Sequence, residues 1–264
     1  MPSTEAIVRL AVFGGVLAAM LIWEEIAPRR HPAAGRGRRR LNNTALLVVG
    51  TAAVRLALPV LATGAALWAQ AQGFGLLNAV PLPAIVAVPA AVVLLDLGIY
   101  WQHRLLHAVP LLWRLHRVHH TDPDFDVTTA LRFHPLEMAV SLLFKLAMVL
   151  AIGASPLAVL LFEIILSAAA MFSHGNVGLP AWLERRISPI IITPDLHRVH
   201  HSLQPSEQAH NFGFFLAVWD RWFGTLQAQP QGGHAAMAIG QPSFRGPDDQ
   251  RLDRLLLQPL QSEQ

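Results

Sequence analysis

The chain contains no cysteine and few charged residues. Of its 264 residues, 14% are charged and 53% are apolar, whereas an average soluble domain is roughly a quarter charged. The missing cysteine excludes disulfides, thiolate metal ligands and cysteine nucleophiles. Together with a mean hydropathy of +0.40, the scarcity of charge indicates an integral membrane protein, because so few polar side chains cannot cover a water-facing surface.

Lysine and tyrosine are almost as scarce. Lys145 is the only lysine among the 20 basic residues, and tyrosine occurs once. The pI is near 10.5, but the arginines mostly flank apolar runs. That placement favours a membrane-topology role over nucleic-acid binding, and we expect no nucleic-acid partner.

Apolar stretches predict an all-α, integral membrane helical bundle of about four to five spans. A span needs about 20 mostly apolar residues, and the last two stretches are shorter than the first three. The break at Gly153–Pro156 predicts that these two form a tight helical hairpin. The five stretches are Ile7–Ile26, Leu46–Gln70, Leu82–Trp101, Leu136–Ile152 and Leu157–Phe172.

A run of arginines predicts the orientation of the bundle. Residues 29–40 contain six arginines, and we interpret this loop as a topology determinant only, which faces the cytoplasm by the positive-inside rule. Alternation of spans then places 102–135, and everything after Ser173, on the cytoplasmic side of a bacterial inner membrane. One charge on each hairpin arm, Lys145 and Glu163, falls roughly 14 Å deep. We expect the two to pair, the alternative being that both extend to water.

Histidines are concentrated on that predicted cytoplasmic side. Ten of the 13 lie between 103 and 201, and histidines that served only as core residues would not be sorted by membrane side. His103 and His107 are four residues apart and share a helical face. The hexapeptide Leu-His-Arg-Val-His-His occupies 115–120 and recurs at 196–201, so each copy also places three imidazoles on one face.

Imidazoles without thiolates are typical ligands of Fe, Zn, Cu or Ni. The number of imidazoles exceeds what one ion can bind, so we predict two metal ions. Asp96, Asp122, Asp126 and Asp195 are candidates to accept the second N–H of a ligand, or are helix caps and loop carboxylates. We expect His31, His210 and His234 to be dispensable for metal. The candidate ligands are His103, His107, His116, His119, His120, His134, His174, His197, His200 and His201.

The motifs around these histidines resemble the fatty acid hydroxylase/sterol desaturase superfamily of integral membrane di-iron enzymes. The resemblance covers about Leu94–Leu226, half of the chain, with the motifs in order. Besides the histidines, the matching residues are Asp96, Tyr100, Trp101, Arg104, Thr128-Thr129-Ala130, Arg132, Pro135, Phe172, Asn176, Thr193-Pro194, Ser202, Asn211-Phe212-Gly213, Trp219-Asp220-Arg221 and Phe223-Gly224-Thr225.

The resemblance implies a helical membrane fold whose cytoplasmic histidines hold two irons. Members of the family activate O2 and hydroxylate, desaturate or cleave lipids. A lipid substrate would reach the irons from the bilayer, and electrons would come from a separate donor, either a ferredoxin, a cytochrome or a reductase. Eukaryotic fatty acid hydroxylases have a further histidine shortly after the position of His174. This chain lacks it, and His134 is the candidate to replace it.

Two other classes of function stay open. A membrane metal-ion transporter would place its site near the bilayer midplane on broken helices, whereas these histidines cluster at one face. A zinc-dependent membrane hydrolase would carry a motif such as H-E-x-x-H, which the sequence lacks. We divide the chain into N-terminal spans with the basic loop (1–93), a di-iron domain (94–226) and a polar, loosely ordered tail (227–264).

Overall fold

Helices account for all regular secondary structure in the described part of the chain. The computed structural model describes residues 4–31, 35–58 and 60–262, and within them it holds isolated β-bridges but no strand. The helices are α1 (Thr4–Ile26), α2 (Arg36–Ala57), α3 (Ala62–Ala71), α4 (Leu76–Ala79), α5 (Ala84–Ala108), α6 (Pro110–His120), α7 (Pro135–Ile152), α8 (Pro156–Ser173), α9 (Ala181–Ile187), α10 (Pro194–His200), α11 (Pro205–Gln208), α12 (Val218–Trp222) and α13 (Leu252–Leu257).

Five helical segments are long and apolar enough to span a membrane, which confirms the predicted fold class. Four of them are the single helices α1, α5, α7 and α8. The fifth is the segment Arg36–Ala79, which contains the predicted stretch Leu46–Gln70. It holds two helices, since α2 ends at Ala57 and α3 begins at Ala62. Leu58 at the end of α2 has left the helical conformation, with φ −130° and ψ 80°, and a residue before a proline is disfavoured in the helical region.

The predicted hairpin of α7 and α8 is confirmed. Gly153 ends α7 in the left-handed conformation with φ 69°, which glycine adopts without steric cost. The Ser155 hydroxyl caps α8 by accepting from Ala158 N–H. Both arms pack against α3 and α5, and Val149 of α7 and Phe162 of α8 belong to one buried apolar cluster with residues of those two helices.

The predicted ion pair inside this hairpin is also confirmed, and it has an additional member. Lys145 Nζ donates to Glu163 Oε1. Arg9 from α1 contacts the other oxygen of Glu163 at 2.5 Å, and the sequence analysis did not predict this partner. The carboxylate of Glu163 therefore joins α1, α7 and α8.

The interpretation of the arginine run as a topology determinant only was wrong. Residues 36–40 form the first turns of α2 rather than a loop. Arg39 is 4% exposed and pairs with both Asp122 (2.8 Å) and Asp126, while Arg40 bridges Glu24 and Asp126, each at 3.0 Å. These two arginines bind α2 to the loop that follows the first histidine box, which is the copy of the hexapeptide at 115–120.

The prediction of a loosely ordered tail was wrong as well. Leu255 of α13 is fully buried against Leu46 and Val118, and the Arg117 guanidinium donates to the carbonyl of Gln258 at 2.6 Å. The polar composition of 227–264 hid a short apolar pattern in α13, which lies against α2. The tail thereby covers the outer side of the first histidine box.

Candidate metal centre

Nine histidines converge in two adjoining groups. Within each group, one nitrogen of every ring lies within 4.8 Å of the corresponding nitrogens of the others. All the rings are buried except that of His107, which is partly buried. The five-histidine group consists of His103, His107, His116, His120 and His200, and the four-histidine group of His119, His174, His197 and His201.

The two H-x-x-H-H boxes contribute to both groups in opposite proportions. His116 and His120 of α6, which are one turn apart, belong to the five-histidine group, and His119 between them belongs to the other. In the second box, His197 and His201 are one turn apart and belong to the four-histidine group, whereas His200 belongs to the five-histidine group. Each box therefore contributes to both groups, and α5 and the end of α8 complete the set.

Carbonyl oxygens and one carboxylate hold the outer nitrogens of four rings. His103 Nδ1 donates to the carbonyl of Phe212 at 2.8 Å, and His200 Nδ1 donates to that of His210 at 2.7 Å. His174 Nδ1 donates to a carbonyl of its own helix at 2.7 Å, and His116 Nδ1 donates to Glu137 Oε1 at 2.6 Å. Such bonds fix the tautomer and direct Nε2 inwards.

The inward nitrogens approach one another closely. Nε2 of His103 is 3.1 Å from Nε2 of His116 and 3.0 Å from that of His200. In the four-histidine group, Nε2 of His174 is 3.1 Å from Nε2 of both His119 and His197. This convergence of lone-pair donors is the arrangement that a metal ion requires.

The four aspartates predicted to orient these rings do not contact them in the described structure. Asp96 accepts from Trp219 Nε1 at 2.8 Å. Asp122 and Asp126 pair with Arg39, and Asp195 pairs with Arg29 at 3.2 Å and with Arg198. The role of ring acceptor was wrong because nearby arginines and an indole bind the carboxylates, whereas the alternative role of helix cap is confirmed for Asp126, which caps the short 3-10 helix Val127–Leu131.

Glu137 and Asp220 have the role that was predicted for those aspartates, which is to hold the histidine rings in position. Glu137, buried at 1% exposure, contacts His116 directly. Asp220 accepts from the N–H groups of Phe212 and Gly213, both at 2.8 Å, and so orients the carbonyl that holds His103. Burial raises the pKa of Asp220 to about 6, although those two N–H groups and the Thr225 hydroxyl favour its ionised form. In the sequence, the signal that could have indicated Glu137 was its position three residues after His134.

The structure does not bring His134 to either group. Its Nδ1 accepts from Leu136 N–H at 3.1 Å as the N-cap of α7, and its Nε2 donates to the carbonyl of Leu256 at 3.1 Å. Both ring nitrogens are thus engaged in holding α7 and the tail. The helix-capping role that Pro135 indicates prevails over the ligand role, and we remove His134 from the candidate set.

The three histidines outside the pattern also lie outside both groups. His210 donates from Nδ1 to the Ser206 carbonyl at 2.7 Å, and only its backbone carbonyl reaches the site. His234 lies 3.7 Å from Asp195, and His31 is exposed. Their dispensability for metal stays a prediction.

Burial makes the imidazoles available as neutral ligands. It lowers the pKa of His119, His120, His197 and His201 well below the usual value, and neighbouring histidines lower it further. The pKa of His200 falls to about 3, again through burial first. Neutral imidazole is the form that binds a metal ion.

Orphaned ring nitrogens show that the residues fit metal ions. In the described residues, Nε2 of His107 and both ring nitrogens of His201 are buried without a hydrogen-bond partner. A buried polar atom without a partner costs free energy, and a metal ion bound by each group would satisfy these atoms. The donor set is nitrogen only, which suits iron, zinc, copper or nickel rather than magnesium or calcium.

A cavity of about 600 Å³ reaches the five-histidine group from within the bundle. Its lining includes His103, His116 and Glu137, and mostly apolar side chains of α1, α2, α5, α7 and α8. The volume lies in the range of sites that enclose small organic ligands. An apolar molecule can therefore approach the histidines along the membrane-spanning helices.

Comparison with known proteins identifies the family. A family model of fatty acid hydroxylases matches residues 88–225. Alkylglycerol monooxygenase of Xenopus tropicalis is 35% identical over 50% of this chain and 28% of its own length. Ornithine lipid hydroxylase OlsE of Rhizobium tropici is 33% identical over 56% and 44%, and Delta(7)-sterol 5(6)-desaturase erg3B of Aspergillus fumigatus is 26% identical over 65% and 50%.

The matched parts are limited in extent. The chain spans half or less of the length of these relatives, and no solved structure matches it. The family model nevertheless covers more than half of the chain and contains all nine converging histidines. With this match, the histidine centre and the helical membrane fold, the chain belongs to the fatty acid hydroxylase family.

Proposed function

We propose that this protein is a membrane-bound non-haem di-iron oxygenase that hydroxylates or desaturates an unactivated C–H position of a lipid. The observation that carries the proposal is the pair of all-imidazole groups, one of which opens onto an apolar cavity. Two irons bound there would supply the redox chemistry that attack on such a C–H bond with O2 requires. We propose one iron for each group, with the nine converging histidines as ligands.

The chain's own residues hold the rings and position the substrate in this proposal. The Phe212 and His210 carbonyls fix the rings of His103 and His200, so that little reorganisation is needed when metal binds. The apolar lining of the cavity excludes water and aligns an alkyl chain beside His103 and His116. Binding at fixed distance and orientation is what an unactivated position on a flexible chain requires of an enzyme.

The names of the similar proteins support a lipid as substrate. Two are named for oxygenation of an ether lipid and of an ornithine lipid, and one for desaturation of a sterol. For this chain we propose a lipid taken from the bilayer and a separate electron donor, namely a ferredoxin, a cytochrome or a reductase. We also propose a bacterial inner membrane location with the histidines on the cytoplasmic side, because six arginines lie within residues 29–40, which run from just after α1 into the first turns of α2.

Metal and oxygen analysis of the purified protein separates this function from a transporter and from a zinc hydrolase. We expect about two irons per chain and O2 consumption that depends on added electrons and lipid. Zinc at the same sites with no O2 uptake would favour the hydrolase. Lipid profiles of a deletion strain and its complemented parent would then reveal a product that differs by one oxygen or by two hydrogens.

A further inference from the structure

Five ionisable side chains line the same cavity away from the histidines. They come from α1, α2, α7 and α8, at positions within the membrane-spanning segments, and are Glu5, Arg9, Arg55, Lys145 and Glu163. Ionisable side chains at such depth are costly and mark functional sites more often than not. None of the five belongs to a histidine motif.

Four of the five neutralise one another. Glu163 binds Lys145 and Arg9, and Arg9 also pairs with Glu5 at 2.7 Å. The hydroxyl of Thr63 at the start of α3 donates to Glu5 at 2.7 Å. Two cations and two carboxylates thus form a closed network that joins α1, α3, α7 and α8.

Arg55 remains as a positive charge in the lining that no described residue balances, and its side chain is exposed. It lies in the last turn of α2, shortly before the segment that leads to Thr63. Among residues 4–31, 35–58 and 60–262, it has neither an ion pair nor a hydrogen bond. Because the remaining four charges cancel, the charged end of the cavity carries a net charge of about +1, which an anion would balance.

A row of polar residues on α7 shows how far this charged end lies from the histidines. Glu137, Ser141 and Lys145 follow one another at intervals of four residues and all line the cavity, so they share one helical face. Glu137 contacts His116, and Lys145 lies about 12 Å further along the helix. The rest of the lining is mainly apolar, with Ile99 among its residues.

We propose that the substrate is an amphiphile with an anionic end group, a carboxylate or a phosphate, that binds Arg55 beside the network of Arg9, Lys145 and Glu163. Its hydrocarbon chain then runs along the cavity to the histidines. This inference rests on the proposed function and adds the substrate class. It also places the reacting carbon far from the anionic group, since about 12 Å of helix separates Lys145 from Glu137.

Equilibrium binding to the purified full-length protein, without O2 or electrons, tests the proposal. The probes are dodecanoate, dodecyl phosphate, dodecanol and dodecyltrimethylammonium, and the readout is the shift in melting temperature with probe concentration. We expect at least one anionic probe to bind about tenfold more tightly than dodecanol, roughly one charge-assisted hydrogen-bonded contact. The stronger of the two anions identifies whether the end group is a carboxylate or a phosphate.

Variants of Arg55 test whether this residue carries the preference. Arg55→Gln should remove the preference for the anion over dodecanol, and Arg55→Lys should retain most of it. Arg185→Gln, an exposed arginine of α9 outside the cavity lining, is the matched control and should bind like the unchanged protein. Retained iron content in each variant shows that the fold is intact.

Two outcomes would overturn the substrate assignment. One is equal binding of dodecanol and both anions, as expected if Arg55 merely extends to the membrane interface. The other is an anion preference that persists in Arg55→Gln. Because binding is measured without turnover, either result leaves the proposed oxygenase function standing, whereas a protein that binds the anion but oxidises no lipid contradicts only that function.

Discussion

The two ends of the cavity are built in different ways. At the metal end, short sequence motifs supply imidazoles whose outer nitrogens are held by carbonyls or by Glu137. At the charged end, residues far apart in sequence meet through side-chain pairs, and Glu5, Arg9, Arg55 and Thr63 all lie outside the matched range 88–225. The family match therefore covers all nine histidines of the metal end, whereas the charged end combines Lys145 and Glu163 from the matched range with residues outside it.

Removal of Arg39 should have the largest effect on stability, because it breaks the contact between α2 and the metal end. Arg39→Met leaves Asp122 buried without its cation and Asp126 with Arg40 alone, and loss of one partner of a buried pair costs about 3–5 kcal/mol. We expect a large fall in melting temperature together with loss of iron. The neighbouring exposed variant Arg38→Met should change neither. If Arg39→Met and Arg38→Met changed melting temperature and iron content equally, the arginine run would act only through membrane topology.

A smaller, selective effect on metal affinity is expected at Asp220. Asp220→Asn weakens the bonds from the Phe212 and Gly213 N–H groups, so the carbonyl that holds His103 becomes mobile. Loss of such an outer contact typically lowers metal affinity 10–100-fold. Titration of the apoprotein with Co²⁺, followed by its absorption spectrum, would measure this. The exposed variant Asp253→Asn is the control, and an unchanged Co²⁺ affinity in Asp220→Asn would remove Asp220 from the account of the metal end.

The metal-free protein should lose stability in acid. His119, His120, His197 and His201 have a lowered pKa when folded, so below about pH 6.5 the unfolded chain binds more protons than the folded one. Stability is therefore independent of these groups above about pH 6.5 and falls as the pH decreases below it. Asp220, with its pKa raised to about 6, acts in the opposite direction, as do Asp124 and Glu184, whose pKa burial also raises, but the histidines with a lowered pKa outnumber these carboxyl groups. Melting temperatures of apoprotein between pH 8 and pH 5 would test the slope.

The smallest effect is expected from Lys145. Its ion pair with Glu163 is 19% exposed on both sides, and Arg9 remains to hold Glu163 in the variant Lys145→Met. Partly exposed pairs contribute about 1 kcal/mol or less, so a fall in melting temperature of a few degrees with full iron content is expected. Loss of iron in Lys145→Met would show that the two ends of the cavity are not independent.

The sequence predicted the metal end better than the charged end for a physical reason. Helical spacing places His116 and His120, or His197 and His201, on one face wherever the helix lies, so local sequence suffices. The division of each box between two groups depends on how α6, α8 and α10 pack, and spacing alone did not reveal it. The same applies to Glu137, which needs α7 packed against α6 to reach His116.

Errors in the prediction arose where a local pattern has two readings. Arginines beside an apolar run are typical of a topology determinant, and only the fold shows that Arg39 lies between two aspartates. His134 lies within a family motif, but Pro135 makes it equally suited to cap α7. The tail is polar in overall composition, but the leucines of α13 pack against α2.

Iron content across a series of thirteen His→Ala variants tests the central claim most directly. Iron per chain would be measured by plasma emission on purified, folded protein. We expect His119→Ala and His200→Ala to lose iron, one from each group, and the other seven members of the two groups to do likewise. The variants of His31, His134, His210 and His234 should retain about two irons per chain. Full iron content in both His119→Ala and His200→Ala would contradict the two-group centre, and iron loss in His134→Ala would return that residue to the ligand set.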